Sequence, residues 1–129
     1  AWLDGVQLAR AAQVNGCDEI ALTKLDMMPL LNQYSDRLKI AMAYIDFDGN
    51  RITEPPADWA GLEGCSAQYE YLSGWDHKSP DEWMDVVETG KPPRFMEGYV
   101  RRVAGIMNVK KTILSVGPDR DATFEFAVA

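Results

Sequence analysis

Histidine is nearly missing from this 129-residue chain, with His77 the single example, and only two cysteines occur, Cys17 and Cys65. A structural zinc site draws four ligands from His and Cys, usually with a C-x-x-C pair, so this set is too small. A chain of this length builds a core without disulfide staples, and free thiols in a reducing cytoplasm are the expected state. Positive charge is also in short supply. Thirteen Lys and Arg stand against twenty Asp and Glu, a formal net charge of −7. That excludes a nucleic-acid-binding surface, which needs clustered basic residues. A single nucleotide stays allowed, because backbone donors and one or two lysines are enough to hold one. No apolar run reaches the length of a membrane span, and no signal-peptide pattern opens the chain. Internal repeats and low-complexity tracts are absent. Residue 1 is Ala rather than Met and the sequence starts in mid-pattern, so a chain cut at its N-terminus is expected.

What is present reads as an ordinary globular protein, 47% hydrophobic and 26% charged, and residues 1–129 are expected to form a single domain. Trp2, Val6, Ala9 and Ala12 recur at helical spacing, which predicts a helix from Trp2 to Val14 with Asp4 in its first turn. A short buried strand follows from Glu19 to Thr23. Pro29 breaks the next apolar stretch into a turn and a short helical piece. Arg37 to Asp46 alternates, with Leu38, Ile40, Met42 and Tyr44 on one face, and returns through Asp48-Gly49-Asn50 into Arg51-Ile52-Thr53 as a hairpin. Asp46 to Asn50 fails as a calcium loop: its glycine comes two positions early, and Ala57 stands where the bidentate glutamate belongs. Trp59 to Gly64 is expected to be irregular, and Tyr69 to Leu72 a short aromatic strand.

Ser79-Pro80-Asp81-Glu82 is a helix start, with a capping serine, a proline at the first helical position and a glutamate completing a capping box. That helix is expected to end by Thr89-Gly90. Arg94 to Met107 is a second helix, with a stripe of Phe95, Tyr99, Val103 and Ile106 widened by Met96, Val100 and Met107. Arg101 and Arg102 fall beside it as solvated side chains. Lys111 to Ser115 reads as a buried strand, Val116 to Arg120 as a tight turn, and Thr123 to Ala127 as a last strand. Interleaved helices and strands predict an α/β class, part of an open, mainly parallel sheet with flanking helices and a β-hairpin excursion.

Two strand ends carry chemistry. Lys24-Leu25-Asp26 follows the first core strand, where open α/β sheets bind ligands. A carboxylate there matches the ring N–H and exocyclic amine of guanine, a pair of donors that adenine lacks. The stem of Lys24 can lie over the base while its ammonium stays in water. Ser115-Val116-Gly117-Pro118 follows the second core strand, and its backbone N–H groups and hydroxyl suit the O6 carbonyl of guanine. For Asp119 and Arg120, an ion pair pinning the turn and a ligand contact are both open.

Four stretches together resemble the adenylosuccinate synthetase family. Ala1-Trp2-Leu3-Asp4 resembles the segment that follows the family's substrate-binding arginine loop, and Leu22-Thr23-Lys24-Leu25-Asp26 its L-T-K-L-D guanine motif. Tyr69-Glu70 followed by Ser73-Gly74-Trp75 is similar to Y-E-x-x-x-G-W, and Ser115 to Arg120 to S-x-G-P-D-R near the C-terminus. The resemblance implies a role for Lys24, Asp26, Ser115 and Gly117 in a guanine pocket for GTP. It implies a reaction that joins L-aspartate to IMP with GTP and Mg²⁺, through 6-phosphoryl-IMP, giving adenylosuccinate, GDP and phosphate. A cytoplasmic homodimer is implied as well. The family's glycine-rich phosphate loop, catalytic aspartate and histidine, magnesium ligands and substrate arginines have no counterpart here, and His77 lies elsewhere. The chain is therefore expected to be the C-terminal part of the enzyme, inactive alone. Met27-Met28-Pro29 stands where many relatives continue with a valine. Two other readings are a viral relative acting on deoxyguanylate, with an adenine nucleotide, and a non-catalytic nucleotide-binding or interaction domain on the same scaffold.

Overall fold

A computed structural model describes residues 2–128 of the chain; Ala1, where the family resemblance begins, lies outside them. The first surprise is at the start. Leu3–Asp4 form a short strand, β1, and the helix α1 runs from Gly5 to Asn15 rather than from Trp2. Asp4 is the N-cap of α1, not part of its first turn, and its carboxylate accepts from the Gln7 N–H at 3.1 Å. A capping aspartate satisfies an otherwise orphaned donor, so the helix starts after it.

Two mixed sheets follow. In one, the nine-residue strand β3 (Arg37–Ile45) pairs parallel with β1 and antiparallel with β4 (Arg51–Ile52) and β5 (Ser66–Ser73). In the other, β6 (Lys111–Ser115) lies between β2 (Glu19–Leu22), its parallel partner, and the antiparallel β7 (Thr123–Ala127). The α/β class and the hairpin agree with the sequence patterns. The parallel pairings, β1 with β3 and β2 with β6, are joined by three antiparallel ones. The strand β2 is less enclosed than its apolar letters suggest, since only Ile20 is buried and Ala21 is exposed. The face of β3 changes at a bulge between Ala41 and Ala43, which buries Ala43 and Tyr44 and leaves Met42 half-buried. An extra residue in one strand moves the following side chains across the sheet.

The helices match their signals unevenly. Between β4 and β5, the stretch expected to be irregular forms a short helix α2 (Trp59–Glu63), because the Asp58 carboxylate caps it from the Gly61 N–H at 2.7 Å. The helix α3 (Pro80–Thr89) has both halves of its capping box, Glu82 N–H to Ser79 Oγ at 3.2 Å and Ser79 N–H to Glu82 Oε1 at 3.0 Å. The Ser79 backbone N–H, and after it the Ser79 side chain, hold the Glu82 carboxyl below the usual range. Ser79→Ala removes the hydroxyl half of the box, and thermal unfolding is expected to show a loss of about 1 kcal/mol. The helix α4 (Arg94–Met107) buries Met96, Tyr99, Val100, Val103 and Ala104. Phe95, assigned to its stripe on spacing, is half exposed, because the buried face is centred one position further on. Arg101 binds Glu97 at 2.9 Å and the Val128 carbonyl, while Arg102 reaches across to Glu70 of β5 and is partly buried.

The core runs from Leu38 and Ile40 of β3 through α4 to Leu114 of β6, with Leu25, Trp75 and Trp83 closing it near the strand ends. This arrangement fixes both loops of interest against one packed wall. Among the described residues, no helix is long and apolar enough to cross a membrane.

Candidate functional site

The parallel register of β2 and β6, from Glu19 opposite Lys111 to Leu22 opposite Leu114, brings their carboxyl ends to one edge. The loops leaving them are tied together, since the Leu25 N–H donates to the Ser115 carbonyl at 3.1 Å. The first loop turns sharply at Lys24, whose φ of +60° is in the left-handed region. A non-glycine residue holds that conformation only where its surroundings enforce it. Two bonds do so: Met27 N–H closes the turn onto the Lys24 carbonyl at 3.0 Å, and the Trp75 indole N–H donates to the Leu25 carbonyl at 2.9 Å. Leu25 is thereby buried, its neighbour Asp26 is half-buried and Lys24 is exposed.

The second loop folds back on itself. Val116 N–H donates to the Ala122 carbonyl at 2.9 Å, and Ala122 N–H to the Asp119 carbonyl at 3.0 Å. Gly117 sits so close to Ala122 that a Cβ added to it would lie 2.9 Å from the Ala122 methyl. No real Cβ is accommodated at that distance without the loop opening, so glycine is dictated by contact. Among the described residues, Asp119 and Arg120 form no ion pair; the salt bridges there join Arg101 to Glu97 and Arg102 to Glu70.

Between the loops lies a cavity of about 230 Å³. Sites that enclose a whole drug-sized ligand run to roughly 300–1,000 Å³, so this one suits a planar part of a ligand. Asp26 and Gly117, chosen from sequence, are both on its wall, with Val116, Pro118 and Asp119 beside them. Lys24 and Ser115 are not. Lys24 stands outside on the exposed turn, and the Ser115 hydroxyl donates to the Gly117 carbonyl at 3.1 Å, within its own loop. A third side of the cavity comes from His77, Lys78, Trp83 and Met84, around the start of α3. Those residues were not singled out from sequence. The capping box at Ser79 was the available signal, because it fixes where the chain entering α3 must run.

No three His, Cys, Asp or Glu side chains cluster closely enough to hold a metal among the described residues. The polar groups on its wall are the Asp26 and Asp119 carboxylates, the His77 imidazole, the Lys78 amine, the Trp83 indole and the backbone amides of the loops. That is a set for hydrogen bonding to a flat heterocycle.

Comparison with known proteins gives the family. A family model described as adenylosuccinate synthetase matches residues 1–124. The chain belongs to the adenylosuccinate synthetase family. The adenylosuccinate synthetase of Oleidesulfovibrio alaskensis is 36% identical over 124 residues, covering 95% of this chain and 26% of the relative. That of Anaeromyxobacter sp. strain Fw109-5 is 41% identical over 124 residues, with the same two coverages of 95% and 26%. The structure of fully ligated adenylosuccinate synthetase from Plasmodium falciparum superposes with a TM-score of 0.75 at 21% identity, over 95% of this chain and 28% of that one. The last likeness establishes the fold. This adenylosuccinate synthetase family chain thus spans about a quarter of the length of the relatives it matches.

Proposed function

We propose that residues 1–129 are a single domain that forms the C-terminal part of an adenylosuccinate synthetase and binds the guanine end of GTP. The complete enzyme, a carbon–nitrogen ligase of purine biosynthesis, takes GTP, IMP and L-aspartate to adenylosuccinate, GDP and phosphate. GTP phosphorylates O6 of IMP, and the aspartate amine then displaces that phosphate. Positioning and charge neutralisation carry such phosphoryl transfer, and the groups that supply them belong to other parts of the protein. This chain contributes the base pocket and is inactive alone. Magnesium is assigned to the complete enzyme, with its ligands outside these residues. A cytoplasmic homodimer completes the reading.

The observation that supports it most is the meeting of Asp26 and Gly117 in one cavity at the ends of adjacent parallel strands. In this pocket the Asp26 carboxylate accepts from the ring N–H and exocyclic amine of guanine, and the Ser115–Gly117 loop offers backbone donors to O6. Lys24 covers the open face of the base from outside. Calorimetric titration of GDP and ADP into the 129-residue chain and its Asp26→Ala variant tests this. A hydrogen bond to a charged group contributes about 1.5–3 kcal/mol, so GDP is expected to bind about tenfold tighter than ADP. That preference should vanish in the variant. Equal affinity for both nucleotides in the unaltered chain would remove guanine from the proposal, and tighter ADP binding would favour the deoxyguanylate-directed viral relative.

A further inference from the structure

The indole nitrogen of Trp83 has no hydrogen-bond partner, and it is the one buried side-chain polar atom of the described residues in that state. Trp83 is 3% exposed, in the first turns of α3, and lines the same cavity as the two strand-end loops. Trp75, the other tryptophan of this part of the core, spends its N–H on the Leu25 carbonyl. A buried donor left unpaired costs stability, so such a group in a native protein calls for a functional or structural reason. The position fits a base seated as above. With Asp26 on the two-donor edge and the Ser115–Gly117 loop on O6, the next acceptor around the guanine ring is N7.

We infer that Trp83 is a purine-binding residue of this pocket, its Nε1–H donating to N7 of the bound base. The inference rests on the nucleotide-binding reading of the cavity, but adenine also carries N7, so it does not rest on the preference for guanine. The Nε1 atom is itself covered, so donation to a base requires a small shift of the cavity wall.

The experiment is a titration cycle on the 129-residue chain, crossing Trp83→Phe with replacement of GDP by 7-deaza-GDP, which has carbon in place of N7. Phenylalanine keeps an aromatic ring and deletes the donor. Expected is a loss of about fivefold for either single change, with no further loss when both are combined. Equal losses by Trp83→Phe against both nucleotides, or no loss, would overturn the inference, because packing alone treats the two ligands alike. Should Trp83→Phe unfold, ¹⁵N spectra of the unaltered chain decide: the Trp83 Nε1–H resonance should move downfield with GDP and stay with 7-deaza-GDP. Identical shifts with both would overturn it. Failure of the guanine reading has a different signature, since the cycle would then persist with ADP and 7-deaza-ADP while Asp26→Ala changed nothing. Absence of any nucleotide binding would overturn both.

Discussion

Trp75→Ala should be the most damaging single change near the site, lowering stability by about 3–5 kcal/mol in urea unfolding. Its ring is 4% exposed and packs against Tyr99 of α4 with centroids 5.7 Å apart, tilted at 57°. Truncation leaves a cavity at the junction of the first loop with the core. It also leaves the Leu25 carbonyl, which accepts the indole N–H at 2.9 Å, without that donor. Trp75→Phe separates the two effects. A phenyl ring retains most of the packing and loses the bond, so about 1–2 kcal/mol should be lost. Leu25 is also held by its own N–H on the Ser115 carbonyl, so the loop keeps one of its two anchors in that variant. Binding of GDP should therefore weaken in Trp75→Phe, while survival of full affinity would mean that Asp26 needs no help from Trp75.

Elements set by local signals were legible in advance. The helix α4 and the strands β6 and β7 have the bounds read from sequence, because their periodicity and terminal residues act locally. The capping box of α3 is likewise written in four adjacent residues, Ser79 to Glu82. By contrast, β5 extends back to Ser66 because β3 offers backbone partners along its length, from Ser66 opposite Ile45 to Ser73 opposite Arg37. Ser66, Ala67 and Gln68 carry no strand signal of their own. Tertiary pairing overrides propensity there. The site divides in the same way. Asp26 and Gly117 follow strands and are visible as punctuation after apolar runs, whereas His77, Lys78 and Trp83 arrive through the placement of α3. No residue spacing encodes that placement, since it depends on how α3 packs against the turn after β6. Trp83 could be read as a core residue from its spacing. Its unpaired nitrogen is visible only in three dimensions.

Gly5→Val should cost about 3 kcal/mol, toward the upper end of overpacking in a filled core. The sequence gives no hint of it, as Gly5 sits inside a stretch with helical periodicity, where glycine is merely a poor helix former. The structure supplies the reason. Leu3 and Asp4 pair with Ile40 and Ala41 of β3 in parallel register, and the chain then turns directly into α1. This holds Gly5 against β3, where an added Cβ would lie 2.7 Å from the Ala41 carbonyl oxygen and 3.0 Å from Ile40 Cγ2. A backbone oxygen in the central strand of its sheet has nowhere to retreat. Valine adds two further methyl groups to a position that has no room for the first. Alanine is the instructive control, because it adds the Cβ alone, without the two further methyl groups of valine. Urea unfolding of both variants checks the account. Gly5→Ala should lose less than Gly5→Val, and a gain in stability for valine would show that α1 does not dock on β3 as closely as described.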